Sequence, residues 1–222
     1  ADRSLLGNAQ REWLYQQLVQ SKSKWTFLGQ QIMMGQLDLL AVQKLQLASQ
    51  SVLGELVVFN TDQWDGYTAE RSRLFDVLSA TRKENFVVLT GDIHTSWALE
   101  LVRNPGALTS GVFEKPLGVE LVTPSVTSPG FPDGVAQVVS AVLPVMNPHI
   151  KYTELKSHGF VIVDVTEERM LAQWRYVRNV TDSTLRASDQ ALDPALTKTL
   201  RVKSGTNQFE TVAQSEFPGA RP

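Results

Sequence analysis

The sequence predicts an α/β fold built in layers around a mixed β-sheet, and three observations carry that prediction. Apolar runs of strand length alternate with segments of helical apolar spacing along most of the chain. Residues 86–89 form a short, β-branched run that is typical of a buried strand. The apolar runs at 159–165 and 170–177 are joined by the polar turn Thr-Glu-Glu-Arg, which indicates an antiparallel hairpin.

The first predicted element is a helix over residues 5–21, with Asn8 as its N-cap. A strand follows at residues 24–33, and the polar, Gln-rich residues 37–53 are interpreted as a helical insertion. The remaining elements are a loop at 60–66, a helix at 68–81, strands at 86–90, 98–102 and 119–123, a Pro/Gly/Ser-rich loop at 124–134, a helix at 135–145 and the hairpin. Residues 181–222 are polar, with weak strand character near Arg201 and a frayed end. The tryptophans at 13, 25, 97 and 174 are expected in the core.

Composition narrows the classes of function. The 222 residues carry a formal net charge of −2 and no strong basic run, which argues against a nucleic-acid backbone as the main partner. No uninterrupted apolar stretch is long enough for a transmembrane segment. The chain has no cysteine and three histidines, so any metal site in it would be rich in oxygen ligands.

The sequence Gly91-Asp92-Ile93-His94 follows directly after the predicted buried strand 86–90. In a loop just past a strand, side chains two residues apart can converge on one point. A carboxylate and an imidazole at the carboxyl end of a strand are the ligands that a metal site in an α/β sheet needs. The alternative is a plain turn, in which Asp92 accepts hydrogen bonds from nearby backbone.

A second motif, Asp62-Gln63-Trp64-Asp65-Gly66-Tyr67, lies upstream of the predicted helix 68–81. Asp65-Gly66 is a strong turn signal, and Asp62 or Asp65 is a candidate N-cap for that helix. The functional interpretation is that Asp65 points into the same crevice as Asp92, with Trp64 lining the pocket.

Taken together, the motifs resemble the PhoD-like alkaline phosphatase/phosphodiesterase family of metallophosphoesterases. The resemblance is specific because the pieces occur in order and at family-like spacing. The matching pieces are Leu6-Gly7 with Gln10, Trp13-Leu14, Leu18, Ser21 and Trp25, then Trp64 to Tyr67 with Glu70-Arg71, Leu89 to His94, Glu120 to Gly130, Asn147 to Tyr152, Gly159-Phe160 and Trp174 to Val177.

The resemblance implies a metallophosphoesterase-like sandwich of mixed β-sheets flanked by helices, which is incomplete in this chain. Residues 1–180 resemble the carboxyl-terminal half of the catalytic domain, and residues 181–222 are expected to be an extension packing on it. The early metal-binding motifs of the family are not found before Asp2-Arg3. An amino-terminal companion segment is therefore an expected partner, beside a phosphate ester substrate.

The resemblance also assigns roles to particular residues. Asp92 is implied as a metal ligand, and His94 as a ligand or as a donor to a phosphate oxygen, so both are candidate catalytic residues. Asp65 is a candidate ligand or a partner of one. Asn147 and His149 lie in a family-like motif and are candidates for substrate binding, although His149 after a proline also suits a helix cap or a loop anchor.

The expected activity is metal-dependent hydrolysis of phosphate mono- or diesters by water activated by a metal ion. The expected cofactor is a divalent metal ion, calcium first, with iron implied by the family. Family members are usually exported, which implies a periplasmic or secreted protein.

Two alternative functions are open. The chain could be a non-catalytic half that completes a site only with another segment, or a degenerate relative that binds phosphate without turnover.

Overall fold

Two β-sheets lie face to face in this protein, and helices cover the outer face of the larger sheet. The computed structural model describes residues 3–37, 61–109, 111–112, 114–180 and 191–219. The strands are β1 (Thr26–Gly29), β2 (Phe86–Thr90), β3 (Ser96–Leu101), β4 (Gly118–Val122), β5 (Ile150–Glu154), β6 (Gly159–Val165), β7 (Arg169–Val177), β8 (Leu192–Lys203) and β9 (Phe209–Thr211). The helices are α1 (Gly7–Gln20), α2 (Thr68–Ala80), α3 (Pro105–Thr109) and α4 (Asp133–Met146), with single 3-10 turns at Trp64–Tyr67 and Gln214–Glu216.

The larger sheet is mixed, as the sequence predicts. Its strand order is β1-β2-β4-β3-β5, with β1, β2 and β4 parallel and β3 antiparallel to both of its neighbours. The second sheet is fully antiparallel in the order β6-β7-β8-β9. The carboxyl ends of β1, β2, β4 and β5 therefore meet at one edge of the larger sheet, where β3 begins. This edge is where ligands bind in open α/β sheets.

Alternation along β2 explains how the layers are held together. Val87 packs between the sheets, whereas Phe86 and Val88 face the helices. The inter-sheet core is large and apolar, and Trp174 adds a hydrogen bond from its indole Nε1 to the carbonyl of Val122, at 3.0 Å. The core between the sheets contains Val87, Ala98, Val119, Leu121, Met170, Ala172, Trp174, Tyr176, Leu200 and Val202.

The start of α1 corrects one expectation from the sequence. Asn8 does not cap this helix, because its Oδ1 accepts a hydrogen bond from Arg11 at 2.6 Å. Ser4 Oγ accepts the backbone N–H of Gly7 at 2.9 Å instead. The prediction that Trp13 belongs to the core is also wrong. Its side chain is 58% exposed because α1 buries only the face that carries Leu14 and Leu18.

The carboxyl-terminal region is more ordered than its polar sequence suggests. Residues 192–203 form β8, which pairs along the whole of β7, and β9 adds a further strand. The predicted strand near Arg201 is confirmed, but it is longer than expected, and the prediction of a frayed end is wrong up to Gly219. Pairing with β7 stabilises residues whose own strand propensity is low. The division at residue 180 stays a prediction. The proposed insertion at 37–53 lies outside the described residues, apart from Leu37.

Hydrogen bonds join the two sheets at the opposite edge of the larger sheet, where β2 and β4 begin. Asn207, which follows β8, accepts a hydrogen bond from the Asn85 backbone N–H at 3.0 Å and donates to the Pro116 carbonyl at 3.2 Å. Asn85 Nδ2 donates to Ser204 Oγ at 3.0 Å. The second sheet is therefore joined to the first by polar contacts as well as by the apolar core.

Candidate functional site

The loop after β2 carries the first two predicted site residues. Asp92 and His94 are both exposed and both have positive φ, 68° and 57°. Ile93 between them is buried at 7% exposure, and its N–H donates to the Gly91 carbonyl at 2.8 Å. Left-handed backbone at non-glycine residues costs of the order of 1–3 kcal/mol and clusters at functional sites. The loop thus buries the side chain of Ile93 and leaves the Asp92 carboxylate and the His94 imidazole accessible to solvent.

Asp92 has a single described partner. Its Oδ2 accepts a hydrogen bond from Gln63 Nε2 at 3.2 Å. His94 makes no hydrogen bond or ion pair with any residue that the structure describes. Both groups can therefore take up a ligand without first giving up a strong contact inside the protein.

Trp64 begins the turn that supports Gln63. Its backbone N–H donates to the Met33 carbonyl at 3.1 Å, and its indole Nε1 donates to Gln30 Oε1 at 3.0 Å. The side chain is only 1% exposed. The structure therefore places Trp64 under the site, as part of the wall that holds residues 30–33, and its proposed role in lining a pocket stays a prediction.

Asp65 lies in a buried ion pair with Arg71 of α2. Its Oδ1 accepts from Arg71 Nη1, and its Oδ2 accepts the backbone N–H of Leu37 at 2.9 Å. Arg71 also donates to the Met34 carbonyl at 3.1 Å and to Gln36 Oε1 at 3.0 Å. Both oxygens of Asp65 are thus used to fix residues 34–37, and neither Asp62 nor Asp65 caps α2.

Glu120, on the central strand β4, is a buried acidic residue to which the sequence analysis assigns no role. It is fully buried, and burial raises the pKa of its carboxyl. Its oxygens accept the backbone N–H of Met34 at 2.8 Å, the backbone N–H of Gly35 at 2.6 Å and the Thr90 hydroxyl at 2.6 Å. The available signal was a glutamate inside the otherwise apolar strand Gly-Val-Glu-Leu-Val, because a buried carboxylate needs partners.

Gly35 shows how closely this loop approaches the sheet. A Cβ at this position would lie 2.6 Å from Leu99 Cδ2 and 3.1 Å from Glu120 Oε2. A larger residue would therefore push residues 34–35 away from the carboxylate that holds them. The loop depends on glycine because of space, since its φ is not positive.

Asn147 and His149 are buried, at 0% and 1% exposure. Asn147 Nδ2 donates to the Leu143 carbonyl at 3.0 Å, at the end of α4. His149 Nε2 lies 2.7 Å from the Gln36 carbonyl oxygen, so this ring reaches the same loop that Asp65 and Glu120 hold. The structure brings His149 to the 30–37 loop and keeps Asn147 at the helix end. A role of either residue in substrate binding stays a prediction.

The described part of the chain contains no group of three or more His, Asp or Glu side chains placed to hold a metal ion. Asp92 and His94 offer one carboxylate and one imidazole, which suits part of a metal site but not a whole one. Within the same described ranges, no helix combines the length and apolar character needed to cross a bilayer.

Comparison with known proteins identifies similar chains. The sequence model of the family described as PhoD-like phosphatase matches residues 1–174. Alkaline phosphatase D from Bacillus subtilis (strain 168) is 32% identical over 181 residues, which are 82% of this chain and 28% of that protein. A solved structure titled "Structure of PhoD" superposes with a TM-score of 0.71 at 26% identity, covering 98% of this chain and 37% of that one. This chain therefore spans about a third of the length of the relatives that it matches.

Proposed function

Because this chain belongs to the PhoD-like phosphatase family, we propose that the protein hydrolyses phosphate esters with the help of a divalent metal ion. The observation that carries the proposal is the pair Asp92 and His94, exposed at the carboxyl end of β2 and nearly free of protein contacts. The family match supplies the class of substrate, and the loop supplies groups that can act on it.

We assign Asp92 and His94 as the metal-binding residues of this chain, with calcium as the first candidate ion. Carboxylate oxygen is the preferred ligand of calcium, and imidazole broadens the choice toward iron. When bound, such an ion would supply positive charge for the phosphoryl oxygens, and iron would in addition lower the pKa of a bound water so that it loses a proton more readily. Asp65 is assigned a supporting role, since both of its oxygens already have partners.

His94 is the candidate for proton transfer within this chain. Its imidazole can donate to a phosphoryl oxygen or protonate the leaving alkoxide, and a positioned acid contributes about 10²- to 10⁴-fold in rate. The described partner of Asp92 is the neutral amide of Gln63, which brings no positive charge to the carboxylate. The buried residues Asp65, Arg71 and Glu120 hold residues 34–37. The preceding residue, Met33, is linked to Asp92 through the side chain of Gln63.

A second candidate function is anion binding without turnover, or a half-site that needs ligands from elsewhere. The observation that favours it is that the described ranges contain no cluster of three metal-binding side chains. The relatives are much longer than this chain, and on this second reading the remaining ligands of the site come from outside the described residues.

The test uses the whole protein as it is produced in the cell and follows hydrolysis of p-nitrophenyl phosphate and bis-p-nitrophenyl phosphate. We expect chelation to abolish turnover and Ca²⁺ to restore it. Asp92→Asn should reduce turnover more than about 100-fold, which exceeds the usual effect of losing a residue that only orients a metal ligand. The control is Glu167→Gln, the same loss of charge at an exposed turn residue. Phosphate binding without turnover would favour the second function, and full activity in Asp92→Asn would refute the assignment.

A further inference from the structure

We infer that Gln63 is the positioning residue for Asp92. The inference rests on the proposed function, because it concerns how the candidate metal ligand is held. Asp92 is exposed, lies in left-handed backbone and has one described hydrogen-bond partner, Gln63 Nε2 at 3.2 Å. The direction of the carboxylate is therefore set by this glutamine, which no metal-ligand pattern in the sequence singles out.

The orientation of the Gln63 amide is fixed by its other end. Oε1 accepts the backbone N–H of Met33, so a flipped amide would bring its NH₂ group against that N–H. Gln63 is 5% exposed, and its own carbonyl accepts the Gly66 N–H at 3.0 Å. The group that faces Asp92 is therefore always the donor.

The turn behind Gln63 is anchored in the middle of the larger sheet. Trp64 Nε1 donates to Gln30 Oε1 at 3.0 Å, and Gln30 Nε2 donates to Thr90 Oγ1 at 2.8 Å. The Thr90 hydroxyl then donates to Glu120 Oε1 at 2.6 Å. A continuous series of side-chain hydrogen bonds thus runs from β4 to the residue that adjoins Gln63.

A neutral donor has a chemical advantage at this position. The arginine beside Asp65 neutralises that aspartate, whereas an amide N–H orients Asp92 and leaves its charge intact for a cation. The bond uses Oδ2 alone, and Oδ1 of Asp92 has no partner among the described residues. Groups that orient a metal ligand in this way typically change metal affinity or activity by about 10- to 100-fold when lost.

The experiment measures Ca²⁺ affinity by titration, together with thermal stability, in the full-length protein and in Gln63→Met, which keeps side-chain length without the amide. The matched control is Gln173→Met. Gln173 is 1% exposed, donates to Thr199 Oγ1 at 2.9 Å and accepts from Arg175 Nε at 2.6 Å, within the second sheet. We expect Ca²⁺ affinity to fall about 10- to 100-fold in Gln63→Met and to stay within about twofold of wild type in Gln173→Met.

A double-mutant cycle separates positioning from a general loss of structure. If Gln63 acts through Asp92, Gln63→Met has little further effect on Ca²⁺ affinity in the Asp92→Asn background. Equal affinity in wild type and Gln63→Met would overturn the inference while leaving the proposed function intact. Equal loss of affinity in the two methionine variants would overturn it as well. A wild-type protein that neither binds Ca²⁺ nor hydrolyses the esters would remove the proposed function and this inference with it.

Discussion

Two neighbouring turns of this protein each carry an aspartate beside a glycine, and they treat it in opposite ways. In the turn at 63–67, Asp65 is buried, paired with Arg71 and bonded to the Leu37 backbone. In the loop at 91–95, Asp92 is exposed and accepts one hydrogen bond from a neutral amide. The comparison teaches that the motif Asp-Gly or Gly-Asp does not define a role, because the number and charge of the partners decide it.

The first turn is built for stability and the second for access. Arg71, Glu120 and His149 use their polar atoms to hold residues 34–37 in place. The second loop carries backbone strain at Asp92 and His94 and receives few contacts in return. Mutations should therefore separate the two regions, with loss of stability in the first and loss of activity in the second.

Asp65→Asn should give the largest effect on stability. It leaves the Arg71 guanidinium buried without its counter-charge, which costs about 3–5 kcal/mol in unfolding free energy for a buried pair. Urea unfolding measures the change. The control is Glu210→Gln, which breaks the more exposed pair with Arg201 and should cost less than about 1 kcal/mol. Similar losses in the two variants would mean that Asp65 is not the anchor described.

His94→Gly should have the opposite signature. Relief of left-handed backbone should raise the free energy of unfolding by about 1 kcal/mol, while loss of the imidazole should lower the proposed phosphoesterase activity by about 100-fold. Arg82→Gly is the control, because Arg82 is also exposed with a positive φ of 48° but lies away from this edge. It should gain stability without losing activity. A destabilised His94→Gly protein would show that His94 has a structural role.

Glu120→Gln should lower the free energy of unfolding and also flatten its dependence on pH. Both carboxyl oxygens of Glu120 accept hydrogen bonds, whereas the NH₂ group of a glutamine would face one of the same donors. Burial raises the pKa of Glu120 in the folded state above its value in the unfolded state. The protonated carboxyl therefore stabilises the folded state fully below the usual glutamate range, and this stabilisation is lost as pH rises through the raised pKa. Arg71 nearby favours the charged form and opposes this shift. The unfolding free energy of wild type, relative to the variant, should therefore fall from pH 4 to pH 8. A rise over that interval would contradict the assignment.

The sequence predicted the elements whose own residues define them. The strand predicted at 86–90, the helix predicted at 68–81 and the hairpin at 159–177 were each recognisable from local pattern, and the structure confirms them. Only the part of β8 near Arg201 was predicted, because Asp193, Pro194 and the threonines and lysines of this strand give the rest little strand character alone. β8 forms because it pairs with β7, and local strand propensity does not predict such a tertiary contact.

The same limit applies to the candidate site. Asp92 and His94 stand two residues apart after a strand, so a short motif was enough to select them. The contacts of Glu120 with Met34 and Gly35, and of Gln63 with Asp92, join residues that are far apart in the chain. Such contacts depend on how the sheet brings its loops together, which a single sequence does not specify.

The pairing of β7 with β8 also determines where a recombinant form of this protein can be truncated. The family match ends at residue 174, inside β7, whereas β8 pairs with β7 on both sides of that point, as far as Val177. A recombinant fragment trimmed to that match would lose Tyr176, Leu200 and Val202 from the inter-sheet core and leave the open edge of β7 prone to aggregate. Expression designs should keep the chain through Phe217, so that the boundary follows the folding unit rather than the extent of sequence likeness.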